Sequence, residues 1–435
     1  MAHPRRATLH SAKLALALGV VVACGTTYAS NAAGGLARPR ALHAEIKVVP
    51  ARAFVGQLVT VDLSHSVLSA GRTLLHATVS WGDRTKSATL ASLRAHLTHR
   101  YGKAGRYRIV ATVEDSSRHT SSAAFVESVT TLIQHAYWTL FNGGGSSFML
   151  ESTVLPLSSK SHDIEIAGTV ANRLVCTSGV ATDPKGRLWV ISYPTGCHAP
   201  DAAEIDVFNV PVTGSSSASL TFTLPSTGDY DNLAFDSRGD LWVEDDYSHV
   251  VEEFKGPFSS SGPLTPSLTL ATGTVRPSGL AVDAKGNLYV ANGASKQSHS
   301  IAVYRAPVTS SSVPTFLGGL TSPGGLLFDT QGDLYASTNP SSGNGAAIVR
   351  YSAKDLARRA LPSIVDAHGQ HGAPYASNFA WDAWGNLYVA DCGSSPHIAM
   401  YPLSSQPFSK ALGPSAVYSN ASLTAIGCAW GIAIH

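Results

Sequence analysis

Charge is scarce in this chain. Asp, Glu, Lys and Arg make up 14% of its 435 residues, where about a quarter is usual. The 31 basic residues nearly cancel the 29 acidic ones and leave a net charge of +2. No basic field exists to attract nucleic acid, which excludes that class of partner. The apolar run Leu14 to Val22 is too short to span a bilayer comfortably. No P-loop and no Ser-centred nucleophile elbow is present. Glycine and serine are abundant instead, as a protein of short turns requires.

Five copies of one phrase organise what is there. They read Asp183-Pro-Lys-Gly186-Arg-Leu-Trp-Val, Asp236-Ser-Arg-Gly239-Asp-Leu-Trp-Val, Asp283-Ala-Lys-Gly286-Asn-Leu-Tyr-Val, Asp329-Thr-Gln-Gly332-Asp-Leu-Tyr-Ala and Asp382-Ala-Trp-Gly385-Asn-Leu-Tyr-Val. The Asp positions lie 53, 47, 46 and 53 residues apart, a period that indicates a solenoid or propeller. A short apolar strand such as Gly279-Leu-Ala-Val leads into each turn. Asp opens the turn because its carboxylate can bond amides two residues on. Gly closes it in the left-handed region. The Leu-Tyr/Trp-Val run is a strand by propensity. The repeated Asp is therefore turn chemistry, not catalysis.

A second hairpin follows each first one, as at Ile205-Asp-Val-Phe-Asn-Val and Ser219-Leu-Thr-Phe-Thr-Leu. Four strands per repeat make a propeller blade. The end of the sequence, Gly431-Ile-Ala-Ile-His435, matches Gly279-Leu-Ala-Val-Asp283, with His435 at the turn position. Tyr137-Trp-Thr-Leu matches a second strand, with Val154-Leu-Pro-Leu expected as the third. The last strand should thus complete a blade begun near residue 136. The fold expected is all-β, a six-bladed β-propeller closed by strands from both ends, with few free edges.

These phrases resemble NHL-type repeats. They are also similar to the repeats of gluconolactonase and regucalcin-like propellers. The resemblance covers residues 132–435 and is specific for fold, since propellers host many activities.

Residues 1–30 read as a secretory signal, with Arg5, Arg6 and Lys13 ahead of the apolar run. Val21-Val22-Ala23-Cys24 resembles a bacterial lipobox, with Cys24 as the lipidated residue. Ordinary cleavage near Ala29 is the other reading, and both stay open. Residues 31–42 read as a linker. Residues 43–130 behave as a separate β-domain, with alternating strands at Val59-Thr-Val-Asp-Leu, Ala77-Thr-Val-Ser-Trp and Tyr107-Arg-Ile-Val-Ala-Thr-Val. Trp81-Gly-Asp83, Tyr101, Tyr107 and Val113-Glu-Asp115 resemble a PKD-type, immunoglobulin-like sandwich. Trp81 and Tyr107 are expected in its core, with a tyrosine bracing a corner. The pattern departs at Arg84, where Gly is usual, which puts that turn in doubt. The resemblance implies a spacer or adhesion module without catalytic residues.

Setting Cys24 aside, four cysteines remain: Cys176, Cys197, Cys392 and Cys428. Four allow three pairings. Cys176 and Cys428 fall in loops leading into blades, and Cys197 and Cys392 fall just after second strands. Both loop types emerge on one face of a propeller, which favours Cys176–Cys197 and Cys392–Cys428.

That loop face is where chemistry is expected. Nine residues after each turn Asp stand Ser192, Asp245, Asn292, Thr338 and Asp391. Asp231 stands where the resemblance to gluconolactonase-like enzymes places a metal-binding carboxylate. Asp231, Asp245, Asn292 and Asp391 are the candidate ligand-binding residues at the channel mouth. Asp231, Asp245 and Asp391 are the candidate metal ligands. No cofactor is required, and calcium is the metal such oxygens would suit. The rest of the family's set is missing, since the positions equivalent to Asp231 hold Ser178, Ser278, Gly324, Ser377 and Trp430. His368-Gly-Gln-His371 could begin a zinc site, but a third ligand is not evident. The run Glu244-Asp245-Asp246 reads as a solvated loop more readily than as a metal or base cluster.

The sequence thus points to an exported or surface-anchored binding or scaffold protein, a monomer, touching membrane only through Cys24. Its propeller loop face would engage a protein or glycan, with aromatic residues such as Tyr193, Tyr230, Tyr247 and Tyr375 in the loops. The alternative is an extracytoplasmic metal-dependent hydrolase or lyase of gluconolactonase-like type.

Overall fold

The computed structural model describes residues 41–140, 149–155, 163–167, 176–194, 202–225, 228–271, 276–293, 300–318, 320, 322–338, 346–367, 376–392, 397–402, 414–419 and 428–435. Cys24, Ala29, Cys197, His368, His371 and Tyr375 lie outside these residues. The chain divides into two compact units, Met1–Leu132 and Ile133–His435.

The first unit is a β-sandwich. One sheet holds Lys47–Val49, Leu58–Asp62 and Leu97–Arg100; the other holds Ala53–Phe54, Thr120–Thr130, Gly105–Asp115, Leu74–Ser80 and Ala88–Leu90. Alternation along the strands sends Val59, Val61, Val79, Ile109, Ala111 and Val113 into one buried core. Trp81 is buried there, as is Tyr101, whose hydroxyl donates to the Trp81 carbonyl at 2.8 Å. Tyr107 is only half-buried. It stacks on Tyr101 and donates to the Lys103 carbonyl four residues upstream, the bond of a corner-bracing tyrosine. In the Trp81-Gly-Asp turn Gly82 has φ 81°, and Arg84, at the position where the sequence lacks the usual Gly, is also left-handed with φ 69°.

Among the described residues the second unit forms a ring of six small sheets. In chain order their strands are Thr177–Thr182, Leu188–Ser192, Glu204–Phe208 and Leu220–Thr223; Tyr230–Phe235, Leu241–Asp245, Val250–Phe254 and Leu268–Ala271; Pro277–Val282, Leu288–Asn292, Ser300–Tyr304 and Thr315–Leu317; Pro323–Phe328, Leu334–Thr338, Ala346–Tyr351 and Ser363–Ala367; Ala376–Trp381, Leu387–Asp391, His397–Tyr401 and Ala416–Tyr418. The sixth sheet joins Ala429–Ile434 to His135–Leu140, Met149–Val154 and Asp163–Ala167. Its third strand ends at Val154, where the sequence suggested it began. The first strands contact one another in order, and Ala429–Ile434 returns to Thr177–Thr182. This cycle of small antiparallel sheets is a β-propeller.

The turns explain why the phrase repeats. In all five, the Gly amide donates to the Asp carbonyl, at 2.8 to 3.2 Å. Asp Oδ1 accepts from the amides two and four residues on, as Asp283 does from Lys285 and Asn287. The glycines have φ between 78° and 85°, where a side chain would be strained. At the sixth turn position, His135 and His435 exchange backbone hydrogen bonds of 2.7 and 3.0 Å and close the ring. The disulfide Cys392–Cys428 ties the fifth sheet to the start of this last strand. Cys176 is also disulfide-bonded.

One insertion alters an edge. After Phe254 the chain leaves the second sheet, and Gly262–Pro263 pairs in parallel with the outer strand of the first sheet. Phe258 from this strap packs with Trp189 and Phe222, and Trp189 in turn packs on Phe235.

Candidate functional site

Each first strand carries a bulge at the same place, near its loop-face end, for example between Tyr230 and Leu233 and between Ala429 and Ile432. A bulge re-aims the side chains beside it. Five residues before the turn position, Ser178, Ser278 and Ser377 donate to carbonyls of the next first strand, at Tyr230, Pro323 and Ala429. One residue later the six positions are Gly179, Asn232, Gly279, Gly325, Asn378 and Gly431. The glycines let neighbouring strands approach. A Cβ on Gly279 would lie 2.3 Å from the Gly324 carbonyl oxygen. The two asparagines stand on opposite sheets, and Asn378 Nδ2 donates to Asn232 Oδ1 at 2.9 Å. They line a central channel of about 350 Å³, walled by apolar residues such as Leu233, Leu280, Leu326 and Phe379.

Asn232 continues the chain of bonds outward. Its Nδ2 donates to Glu244 Oε1 at 2.6 Å. Glu244 is fully buried, and the Gly279 amide also bonds its carboxyl. Burial pushes its carboxyl up to about 8, the nearby Asp246 charge adding to the effect, against the hydrogen bond from Asn232.

Next to Glu244 lies an acidic group. Carboxylate oxygens of Asp229, Asp231 and Asp246 all lie within 4.8 Å of one another. Burial pushes Asp231 well above the usual carboxylate range, and the charges of Asp229, Glu244 and Asp246 push the same way. Arg276, just before the third sheet, pulls it back. Its Nε donates to both oxygens of Asp246, at 2.9 and 2.8 Å, and its Nη2 bonds Oδ2. The Arg276 charge thus acts on three carboxyl groups, those of Asp246, Asp229 and Asp231.

The expected residues are sorted by this geometry. Asp231 joins Asp229 and Asp246. Asp245 does not. It is 1% exposed, and its Oδ1 accepts from the amides of Asp229 and Ser248 at 3.1 and 3.0 Å. Asp245 is a positioning residue that folds the Asp246 turn back onto Asp229. Gly228 is part of this fit, since a Cβ there would sit 2.1 Å from Asp245 Oδ2. Asp391 is fully buried and pairs with His397 inside the fifth sheet at 3.4 Å. Asn292 is fully buried in the third, with neither amide atom hydrogen-bonded among the described residues. Strand alternation explains the split. The last residue of a second strand bonds within its own sheet, as Ser192 does to Asp206 and Asp391 to His397, while Thr139, one before the last on the opposite face, reaches Ser178 of the next sheet. Glu244-Asp245-Asp246 is not a solvated loop, because none of the three is more than 7% exposed.

The aromatic candidates are sorted too. Tyr193 and Tyr230 are buried scaffold: the Tyr193 hydroxyl accepts from the Tyr230 amide at 2.6 Å and donates to its carbonyl at 3.2 Å. Tyr247, beside Asp246, is 71% exposed. Asp229 was missed by column reasoning because it precedes the strand.

The oxygen-only donor set fits a hard divalent cation. Such an ion would supply charge neutralisation and open coordination positions for a ligand's oxygens.

No family model matches the chain, and no curated protein matches it. Among solved structures it is similar to virginiamycin B lyase from Staphylococcus aureus, at 13% identity over 62% of this chain and 85% of that one, TM-score 0.37. It is similar to a putative 6-phosphogluconolactonase from Bacteroides fragilis, at 11% identity over 66% and 82%, TM-score 0.44. It is also similar to the PQQ-bound form of an aldose sugar dehydrogenase from Streptomyces coelicolor, at 17% identity over 61% and 86%, TM-score 0.41. These likenesses concern the fold alone.

Proposed function

We propose that this is an exported, surface-held binding protein whose propeller takes a glycan on its loop face through a bound calcium ion. In this reading the six sheets are NHL-type blades and the first unit is a PKD-type spacer. The basic and apolar start of the chain directs export, with Cys24 as the anchor or Ala29 near the cleavage point. The observation that carries the reading is the juxtaposition of Tyr247 with Asp246. An exposed ring adjoins three carboxyl groups whose oxygens lie within 4.8 Å of one another. A divalent ion there offers open positions to vicinal hydroxyls, and the phenol ring packs on the sugar's apolar face. The test is a glycan array probed with full-length protein in calcium and in chelator. Binding should need calcium and should fall in Tyr247→Ala. Equal signals in chelator end this reading.

The second reading is a metal-dependent hydrolase or lyase. It is favoured by Glu244, a buried carboxyl raised to about 8, which would hold a proton near neutrality beside the same seat.

A further inference from the structure

A second motif repeats around the ring, where the third strand of a sheet connects to the fourth. In five of the six sheets this connection carries Pro, an apolar residue and then Ser or Thr: Pro156-Leu-Ser158, Pro211-Val-Thr213, Pro257-Phe-Ser259, Pro307-Val-Thr309 and Pro402-Leu-Ser404. More serines follow, as in Thr213-Gly-Ser-Ser-Ser217, Ser259-Ser-Ser261 and Thr309-Ser-Ser-Ser312. Ser158 and Ser404 lie outside the described residues. The apolar residue anchors the connection, since Val212 and Phe258 are buried in the cores of the ring. In a sheet of four antiparallel strands the first and third connections leave on the same side. The serine turns therefore share the side of the Asp-Gly turns, opposite to the loop face with Tyr247 and the acidic group.

Turn chemistry uses only part of this motif. The Thr213 amide donates to Ser216 Oγ and the Ser216 amide to the Thr213 carbonyl, both at 2.9 Å. Thr309 and Ser312 repeat both bonds at the same lengths. One serine hydroxyl thus closes each turn. In the strap, Ser261 Oγ accepts from the Thr221 amide at 3.0 Å. The remaining hydroxyls hold no backbone. Those of Ser215 and Ser311 meet only the neighbouring threonine hydroxyls, each at 3.1 Å. Those of Ser217, Ser259, Ser260 and Ser310 bond no group among the described residues. All six serines are exposed. Runs of Ser and Thr flanked by Pro have the composition of O-glycosylated segments. Two properties of the molecule favour a sugar over a phosphate. Charge is scarce, at 14% of residues, so little of the surface is hydrated by charged groups. The disulfide indicates an oxidising compartment outside the cytosol, where sugar donors are carried on membrane lipids.

We propose that these turns are O-glycosylation sites, with Ser215, Ser217, Ser259, Ser260, Ser310 and Ser311 as acceptors. The donor is a polyprenyl-phosphate hexose. The serine hydroxyl oxygen attacks the anomeric carbon, and a glycosidic C–O bond forms. The bond from that carbon to the phosphate breaks, and polyprenyl phosphate leaves with the electron pair. The hydroxyl proton passes to a base of the transferase. The inference rests on the reading of the protein as exported and adds a modification to it. Sugars on this side would hydrate a charge-poor surface and leave the loop face open to a partner.

The experiment is intact-mass measurement and peptide mapping of the full chain purified from its own cells, with cell fractionation alongside. The exported protein should exceed the mass of its bare chain in hexose steps, and the hexoses should map to the peptides that carry these six serines. A variant with alanine at all six should lose them entirely and keep the wild-type melting temperature. Variants changed in one turn at a time carry the test should the sixfold variant not fold. Ser216→Ala, a change in a turn-closing hydroxyl, should melt lower and keep the hexoses. An exported protein with the mass of its bare chain overturns the inference and leaves export standing. So does hexose confined to other peptides, an undiminished hexose count in the sixfold variant, or phosphate in place of hexose. A chain held in the cytosol and unmodified overturns both the inference and the export reading.

Discussion

Asn378 Nδ2 donates to Asn232 Oδ1 at 2.9 Å across the central channel, joining residues 146 apart in sequence. The bond ties the fifth sheet to the second, and through Asn232 it reaches the buried Glu244. Asn232→Ala should therefore lower stability by about 1–3 kcal/mol, because Glu244 Oε1 loses its side-chain donor. Asn378→Ala should cost less, about 1 kcal/mol, since it removes only neutral bonds, one to Asn232 and one from the Phe379 amide. Denaturant unfolding of both and of the double variant measures the coupling. Additive losses would mean that the two amides do not act together.

Arg84 holds φ 69°, where glycine carries no Cβ penalty. Arg84→Gly should stabilise the first unit by about 1 kcal/mol. A thermal melt of the two proteins decides it; a lower melting temperature in the variant would show that Arg84's side chain matters more than its backbone.

Glu127 is buried in the first unit, and burial pushes its carboxyl up to about 7, against the amides of Ala53 and Ser128. The folded state then binds more protons than the unfolded one between the ordinary value of 4.5 and about 7. Stability of this unit should fall as pH rises through that window and level off above it. Glu127→Gln should flatten the profile. Melts from pH 4 to 9 that show parallel curves for the two proteins would remove Glu127 from the account.

The bridge from Cys392 to Cys428 closes a loop with a sequence separation of 36. Replacing both cysteines by serine should cost about 3–4 kcal/mol in the chain-entropy picture. Deleting residues 431–435 should cost more and promote aggregation, because it strips a strand from the sixth sheet and leaves edges open. An unchanged melting temperature in the truncation would rule out closure by this strand.

The Asp-Gly turns and the completion of the sixth sheet were legible because each is fixed by local chemistry. Asp carboxylate, amides two and four residues on and a left-handed Gly all fall within five residues. The acidic seat was only partly legible. Asp231 stood out by its column, but Asp245 and Asp391 share a register that turns them into their own sheets. Asp246 enters the seat because Asp245 folds the turn back, and Asp229 enters because its amide is held by Asp245. Neither fact shows in spacing. The asparagine pair did have a signal: the same column holds Gly at four positions and Asn at Asn232 and Asn378. That column becomes meaningful only when the sheets face one another across a ring.

Closure by Ala429–Ile434 also determines how the ring responds to tension. His135 and His435 are bonded at one end of the closing strand pair. A pull between residue 133 and the far end would therefore load these bonds one after another, like a zipper, and at low force. The peeling has a stop. Cys428, just ahead of the strand, is bridged to Cys392 in the fifth sheet. The released length is limited to about seven residues, roughly 23 Å of extended chain. A tether on this protein would yield by that step and hold, with the other five sheets still folded.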